Sequence, residues 1–212
     1  MRTWFTSDLH FGHGNIIGYC ARPFSTVDEM NSELIRRWNE TVADDDTVWV
    51  LGDFALGTID VTLTFAGSLR GHKILLAGNH DRCWNGRNSG ADGSVEVWSQ
   101  RYLDAGFDEV RQGEQSITIA GQQVLLCHFP YEGDSHDHDR HLGHRPVDQG
   151  GWLLHGHVHE RWRQRGRMVN VGVDVNDFRP LGVDEIARMV TSGPTPDVYA
   201  PKSGATKSVV TL

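Results

Sequence analysis

The chain has 212 residues, a formal net charge of −8 and twelve histidines. That length suits a single domain with its own core. The acidic balance argues against a protein that coats nucleic acid, because the phosphate backbone is bound by Lys and Arg. No apolar run approaches the ~18 residues of a membrane span.

In chain order, residues 3–7 read as a strand, and 8–24 as a loop rich in Gly and His, broken by Pro23. A helix is predicted from Ser25 to about residue 42, with Asp28 and Glu29 in its first turn and Met30, Leu34, Ile35 and Trp38 on one face. Strand 47–51, helix 58–69 and strand 73–77 follow, then a Gly- and Asn-rich loop at 84–93 and a helix at 95–106. Alternating runs at 115–119 and 122–126 flank Ala120-Gly121 and predict a hairpin. Residues 132–150 form a long polar loop with four histidines, and loops of that length carry function or disorder. A strand at 151–155, a hairpin over 161–165 and 167–173, and a helix at 183–190 complete a domain spanning 1–191. Residues 192–212, with Pro194, Pro196 and Pro201, read as a C-terminal tail. Units of βα followed by hairpins predict two sheets packed face to face with helices outside.

Cys20, Cys83 and Cys127 show neither a pairing pattern nor zinc-ribbon spacing, and Cys127 reads as a buried thiol in a strand. The opening Met-Arg-Thr-Trp-Phe leads directly into the first strand and predicts no signal peptide. Together these features predict a reducing, cytoplasmic setting.

The chemistry is concentrated where apolar runs stop. Thr3–Thr6 leads to Asp8 and His10, Val48–Leu51 to Asp53, Ile74–Ala77 to Asn79, His80 and Asp81, Val124–Cys127 to His128, and Trp152–His155 to His157 and His159. Ligands of open α/β sheets bind at the carboxyl ends of strands. Asp8 and His10, like His157 and His159, are two apart, a spacing that sends extended side chains to one side. Carboxylate, imidazole and amide donors without a thiolate suit manganese, iron or zinc.

This ordered set, Asp8-Leu9-His10, Gly52-Asp53, Gly78-Asn79-His80-Asp81, His128 and Gly156-His157-Val158-His159, resembles the calcineurin-like metallophosphoesterase superfamily over about residues 3–174. The opening Ser7 to Ile17 is similar to its small bacterial and phage members. The resemblance implies a four-layer αββα sandwich and two divalent metal ions, manganese first and iron or zinc as alternatives. It implies that Asp8, His10 and His159 hold one ion, that Asn79, His128 and His157 hold the other, and that Asp53 bridges both with a water or hydroxide. It places His80 beside the scissile phosphate with Asp81 orienting its ring. No ligand position is substituted in this chain. Two divalent ions against Asp8 and Asp53 leave the centre positive by about two, enough to draw in a phosphate anion.

His13, Asn15 and Arg22, on the loop after the first ligand pair, are candidate substrate-binding residues, with loop packing or a surface position as the alternative. His155 lies inside the His-Gly-His-x-His run but outside the family pattern, and reads as support. His136, His138 and His141 fall short of a metallo-β-lactamase-type motif because Arg140 stands where an Asp is needed; they are expected to line or cover the cleft. Trp84, Trp98, Trp152 and Trp162 read as core, and Asn170, Gly172 and Asp174 as supporting structure.

The resulting expectation is a dinuclear-metal phosphoester hydrolase, a phosphodiesterase acting on small substrates such as cyclic nucleotides. The alternatives are a phosphomonoesterase or protein phosphatase, a nuclease, and, outside enzymes, a metal-free scaffold. Neither membrane association nor a stable nucleic-acid complex is expected, and the sequence carries no signal of oligomeric state.

Overall fold

The computed structural model describes residues 1–87 and 93–196. The inner part of the predicted loop 84–93 and most of the tail 192–212 lie outside them. Within them the chain forms β1 (Thr3–Thr6), α1 (Gly14–Tyr19), α2 (Val27–Thr41), β2 (Thr47–Val50), α3 (Ile59–Thr62) continued by a 3-10 helix (Leu63–Ser68), and β3 (His72–Leu76). Next come α4 (Val95–Asp104), β4 (Glu109–Arg111), β5 (Gln115–Ile119), β6 (Gln122–Leu126), β7 (Trp152–His155), β8 (Gln164–Arg165), β9 (Met168–Asn170), β10 (Leu181–Gly182) and α5 (Val183–Ser192).

The strands form two sheets, ordered β10-β1-β2-β3-β4 and β5-β6-β7-β9-β8. β1 to β4 run parallel, so their carboxyl ends share one rim. β6, β7 and β9 are also parallel and bring a second set of carboxyl ends to the site. The central strands β2, β3, β7 and β9 are buried on both faces, as expected of parallel strands covered on both sides. Phe5, Trp49, Ile74 and Leu76 meet Val124, Leu126, Trp152, Leu154 and Val169 between the sheets, where Ile186 and Val190 of α5 join them. On the opposite face of the first sheet, Val48, Val50 and Leu75 join a cluster with Leu34 and Trp38 of α2 and Trp98 and Tyr102 of α4. Among the described residues no helix is long and apolar enough to cross a membrane.

This is the expected α/β sandwich, with unequal cover on its two outer faces. The helices α1 to α4 lie against the first sheet. Over the second sheet, Tyr131, Val147 and Gln149 from the segment between β6 and β7 line an open groove with Ser116, Gln123 and Leu125. The regular structure in that segment is one 3-10 turn, Leu142–His144. Three elements were not legible in the sequence. α1 falls inside the expected loop 8–24; it is six residues long, and Gly14 and Gly18 weaken its helical pattern. β4 and β10 are short edge strands of three and two residues without an apolar alternation to mark them. The predicted helix 58–69 forms as one α turn that tightens into a 3-10 helix.

Candidate metal centre

The centre is built just past the strand ends, where the two sheets approach each other. Ser7 pairs with Gly172 across the seam, and the Val173 amide donates to the Ser7 carbonyl at 3.1 Å. A Cβ on Gly156 would strike Ser7 Oγ and Asp8 Oδ2, so only glycine lets β7 pass this close to β1. Gly52 is confined in the same way: a Cβ there would lie 2.6 Å from both Gly78 Cα and His128 Nδ1.

Asp8 and His10 do face one cleft, but for a different reason from the strand period. Both are left-handed, with φ of 57° and 52°, and so are Asp53 (57°), His157 (71°) and His159 (51°). Asp and His are among the residues enriched in that region, which costs a non-glycine residue roughly 1–2 kcal/mol. The amides of Asp8 and His10 donate to the Gly52 and Asp53 carbonyls, each at 3.0 Å, which locks the irregular rim in place.

Among the described residues three overlapping groups of donor atoms lie there, one of them Cys20, His159 and Asp174. Asp8, His10 and His159 offer ligand atoms within 4.8 Å of one another, and so do Asp8, Asp53 and His128. His10 Nε2 is 3.8 Å from Asp8 Oδ1 and 3.7 Å from Asp53 Oδ2. His128 Nε2 is 3.5 Å from Asp53 Oδ2 and 3.0 Å from Asn79 Oδ1. Donors on a common ion at ~2.0–2.2 Å lie at comparable separations.

The bonding and charge of these residues fit cations. Both ring nitrogens of His10 are buried without a hydrogen-bond partner, a condition that native interiors rarely leave uncorrected. With His128 Nδ1 donating to the Leu51 carbonyl at 2.8 Å, its Nε2 lone pair faces the Asn79 carbonyl oxygen. A cation between these two atoms would satisfy both. Burial drives His10 well below the ordinary histidine range, so it is a neutral donor. Burial pushes Asp53 up, but its imidazole neighbours and the His80 amide hold the carboxyl well below the usual range. His159 is raised well above its ordinary value: burial opposes its charge, while Asp8 and Asp174 draw a proton onto it. The pocket therefore recruits positive charge.

His157 donates its backbone N–H to Asp8 Oδ2 at 3.0 Å, and its ring is 5.2 Å from that of His128. Burial lowers the ring to about 3 against the pull of Asp134, so it is neutral, with Nε2 2.9 Å from Asp134 Oδ2. His80 stands at the open rim with its side chain 43% exposed, Nε2 4.0 Å from Asp53 Oδ2, and its backbone N–H on Asp53 Oδ1 at 2.8 Å. His13 is half-buried beside His10, with ring centroids 5.5 Å apart and a buried, unpartnered Nδ1. Asn15 is exposed and lines a groove with Tyr19 and Thr26.

Two expected roles are corrected. Arg22 does not reach toward a substrate. It is buried, with Nε and Nη2 on Asp174 at 2.7 and 3.0 Å, Nη2 on the Asp8 carbonyl at 2.7 Å, and Nη1 on the Leu9 carbonyl at 3.0 Å. Its fork is spent on fixing the backbone under Asp8 and on Asp174, whose Oδ2 lies 3.2 Å from His159 Nδ1. Asp81 does not orient the His80 ring. Its carboxylate accepts the amides of Asp53 (2.8 Å), Gly78 (2.9 Å) and Phe54 (3.1 Å) and the Tyr102 hydroxyl (3.2 Å). It ties the turn carrying Asp53 to the one carrying Asn79.

The remaining expectations concern support. Asn170 donates to the His159 and Trp162 carbonyls at 2.7 and 2.9 Å, and His155 is buried with Nδ1 2.7 Å from the Gly156 carbonyl oxygen. Trp84, Trp98 and Trp152 are core residues. His141 packs its ring 5.2 Å from Phe129 and 5.8 Å from His157, so one of the loop histidines covers the site. Asp134 and Tyr102 were missed. Asp134 sits in a polar run with Asp137 and Asp139, and nothing local distinguishes it.

Comparison with known proteins gives a consistent picture. The family model for calcineurin-like phosphoesterases matches residues 1–173. The gene 66 protein of Mycobacterium phage L5 is 35% identical over 197 residues, covering 89% of this chain and 93% of that protein. An uncharacterized protein of Methanocaldococcus jannaschii is 28% identical over 201 residues, covering 91% and 93%. The crystal structure of a protein of unknown function from Aquifex aeolicus superposes with a TM-score of 0.65 at 26% identity, covering 88% of this chain and 98% of that one.

Proposed function

Because the chain belongs to the calcineurin-like phosphoesterase family of metal-dependent hydrolases, we propose that it is a dinuclear phosphodiesterase acting on small diesters, cyclic nucleotides among them. In this reading Asp8, His10 and His159 would hold one divalent ion and Asn79, His128 and His157 the other, with Asp53 serving both. The observation that carries it is the convergence of Asp8, Asp53 and the two unpartnered nitrogens of His10 at one rim. Carboxylate, imidazole and amide donors suit manganese first, with iron or zinc as alternatives. When bound, such an ion pair supplies charge stabilisation for in-line displacement at phosphorus and an activated water as nucleophile.

The protein's own groups do the rest. His80, exposed at the rim and held by its backbone to Asp53, is placed to protonate or stabilise the departing oxygen. His13, with an unpartnered Nδ1 and its ring beside His10, is a candidate substrate contact. Asn15, exposed two residues beyond His13, is a second candidate substrate contact. Arg22, Asp81 and Asp174 hold the backbone and rings in place, so the donors need no rearrangement on binding.

The test is a screen of metal-reconstituted protein against phosphomonoesters and diesters, including cyclic nucleotides. Metal-dependent turnover of diesters is expected. Hydrolysis of monoesters alone would replace the proposed class with a phosphomonoesterase, and equal turnover in protein shown to contain no metal would refute the metal reading.

A further inference from the structure

The segment between β6 and β7 contains a buried carboxylate that the reaction above does not use. Asp134 has a fully buried side chain. Its Oδ1 accepts the His136 amide at 3.1 Å and Arg140 Nε and Nη2 at 3.0 and 2.8 Å. Its Oδ2 accepts the Arg140 amide and Arg145 Nη2, both at 3.0 Å, and lies 2.9 Å from His157 Nε2. A buried carboxylate is costly unless pairing and hydrogen bonds satisfy its lone pairs. Here two guanidinium groups and two amides hold it from one side, and the ring of His157 meets it on the other.

The arrangement has a counterpart on the opposite side of the Gly156–His159 turn. Asp174 is gripped by Arg22 and presents Oδ2 to His159 Nδ1. Each histidine of the turn is thus backed by an aspartate, and each aspartate by arginine, although the two supports come from distant parts of the chain. A neutral imidazole has one N–H. If Nε2 carries it to Asp134, Nδ1 is the nitrogen left with a lone pair for an ion.

We propose that Asp134 is the positioning residue for His157, fixing the ring's tautomer and rotation so that Nδ1 is presented to the second ion. This rests on the reading of His157 as a ligand. A carboxylate that accepts the far proton of a ligating imidazole orients the ring and raises its basicity, and loss of such a partner typically weakens metal binding ~10- to 100-fold. The rest of the segment need not take part, because Arg140 and Arg145 act on Asp134 and not on the ring.

Calorimetric titration of metal-free protein with manganese tests this directly, using wild type, Asp134→Ala, Asp134→Asn and Arg140→Ala, with the spin-coupled signal of a paired manganese centre as a second readout. Wild type is expected to take up two ions. Asp134→Ala should bind one as before and the other ~10- to 100-fold more weakly, with loss of the coupled signal. Asp134→Asn keeps an acceptor oxygen at the same reach and should fall between, which also covers a failure of the alanine variant to fold. Arg140→Ala leaves Asp134 on Arg145 and His157, so it should melt earlier while binding both ions nearly as wild type does. Wild-type affinity for both ions in the Asp134 variants would overturn the proposal. So would equal weakening by Arg140→Ala, since order of the segment would then be the cause. A wild type that binds fewer than two ions would instead refute the dinuclear reading on which the proposal stands.

Discussion

Replacing His80 by alanine separates chemistry from assembly at this site more cleanly than any ligand change. The side chain is 43% exposed, and its Nε2 is 4.0 Å from the Asp53 carboxylate, beyond hydrogen-bond range. The hydrogen bond that His80 makes to the centre comes from its backbone, whose N–H donates to Asp53 Oδ1 at 2.8 Å, and alanine keeps that bond. Folding and ion content should therefore stay near wild type. Turnover should not. Positioned proton transfer is typically worth ~100- to 10,000-fold, equivalent to roughly 3–5 kcal/mol of barrier. That help matters in proportion to the basicity of the departing oxygen. A nitrophenolate needs little of it, while a ribose or alkyl oxygen needs nearly all. The assay is kcat on a nitrophenyl diester and on a nucleotide or alkyl diester, with metal content measured in the same samples. The expected result is a loss near the full range on the alkyl or ribose leaving group and a much smaller one on nitrophenolate. Equal losses on both would refute leaving-group assistance and move His80 to the phosphoryl oxygens.

Asp53→Ala should empty both ion sites, because its carboxylate faces His10 and His128 from opposite groups of donors; elemental analysis showing two tightly held ions would exclude a shared ligand. Removing metal from the wild type should lower the melting temperature. Ions at 100 times their dissociation constant add ~2.7 kcal/mol each, and ~2–4 °C per kcal/mol for a domain of this size gives a shift of roughly 5–10 °C per ion by calorimetry. Arg22→Met should leave the buried Asp174 carboxylate without its guanidinium partner and with the His159 ring alone beside it, at a cost of up to about 3–5 kcal/mol, read as an earlier denaturant midpoint. If substrate affinity falls in that variant while stability holds, Arg22 binds substrate after all.

The site was largely legible because each donor follows an apolar run, and such runs mark buried strands whatever the surrounding loops do. Asp8, Asp53, Asn79, His128 and His157 could be placed at one rim on that ground. What the sequence could not carry was direction. The two-residue spacing of Asp8 and His10 suggested extended backbone, whereas both are left-handed, a state imposed by hydrogen bonds to the turn at 52–53. Nor could it carry pairing at long range. Arg22 looked like a cation free for a phosphate because its partner, Asp174, lies 152 residues away. Asp81 looked like a histidine's companion because it is next to His80, yet two of its bonds run to the Asp53 and Phe54 amides, brought close by the parallel pairing of β2 and β3.

The seam between the sheets also bears on how the protein is made. Asp8, His10, Asp53 and Asn79 belong to strand ends of the first sheet, whose four parallel strands are complete by residue 111. His128, His157 and His159 come from the second, completed only at residue 170. During synthesis the earlier carboxylates emerge well before the imidazoles proposed to share ions with them, and the strand β10 that pairs with β1 comes later still. A nascent chain thus presents half a centre for much of its elongation. With the proposed ligand set, full-affinity ion capture would wait until the second sheet docks, and metal loading would report completion of the tertiary fold.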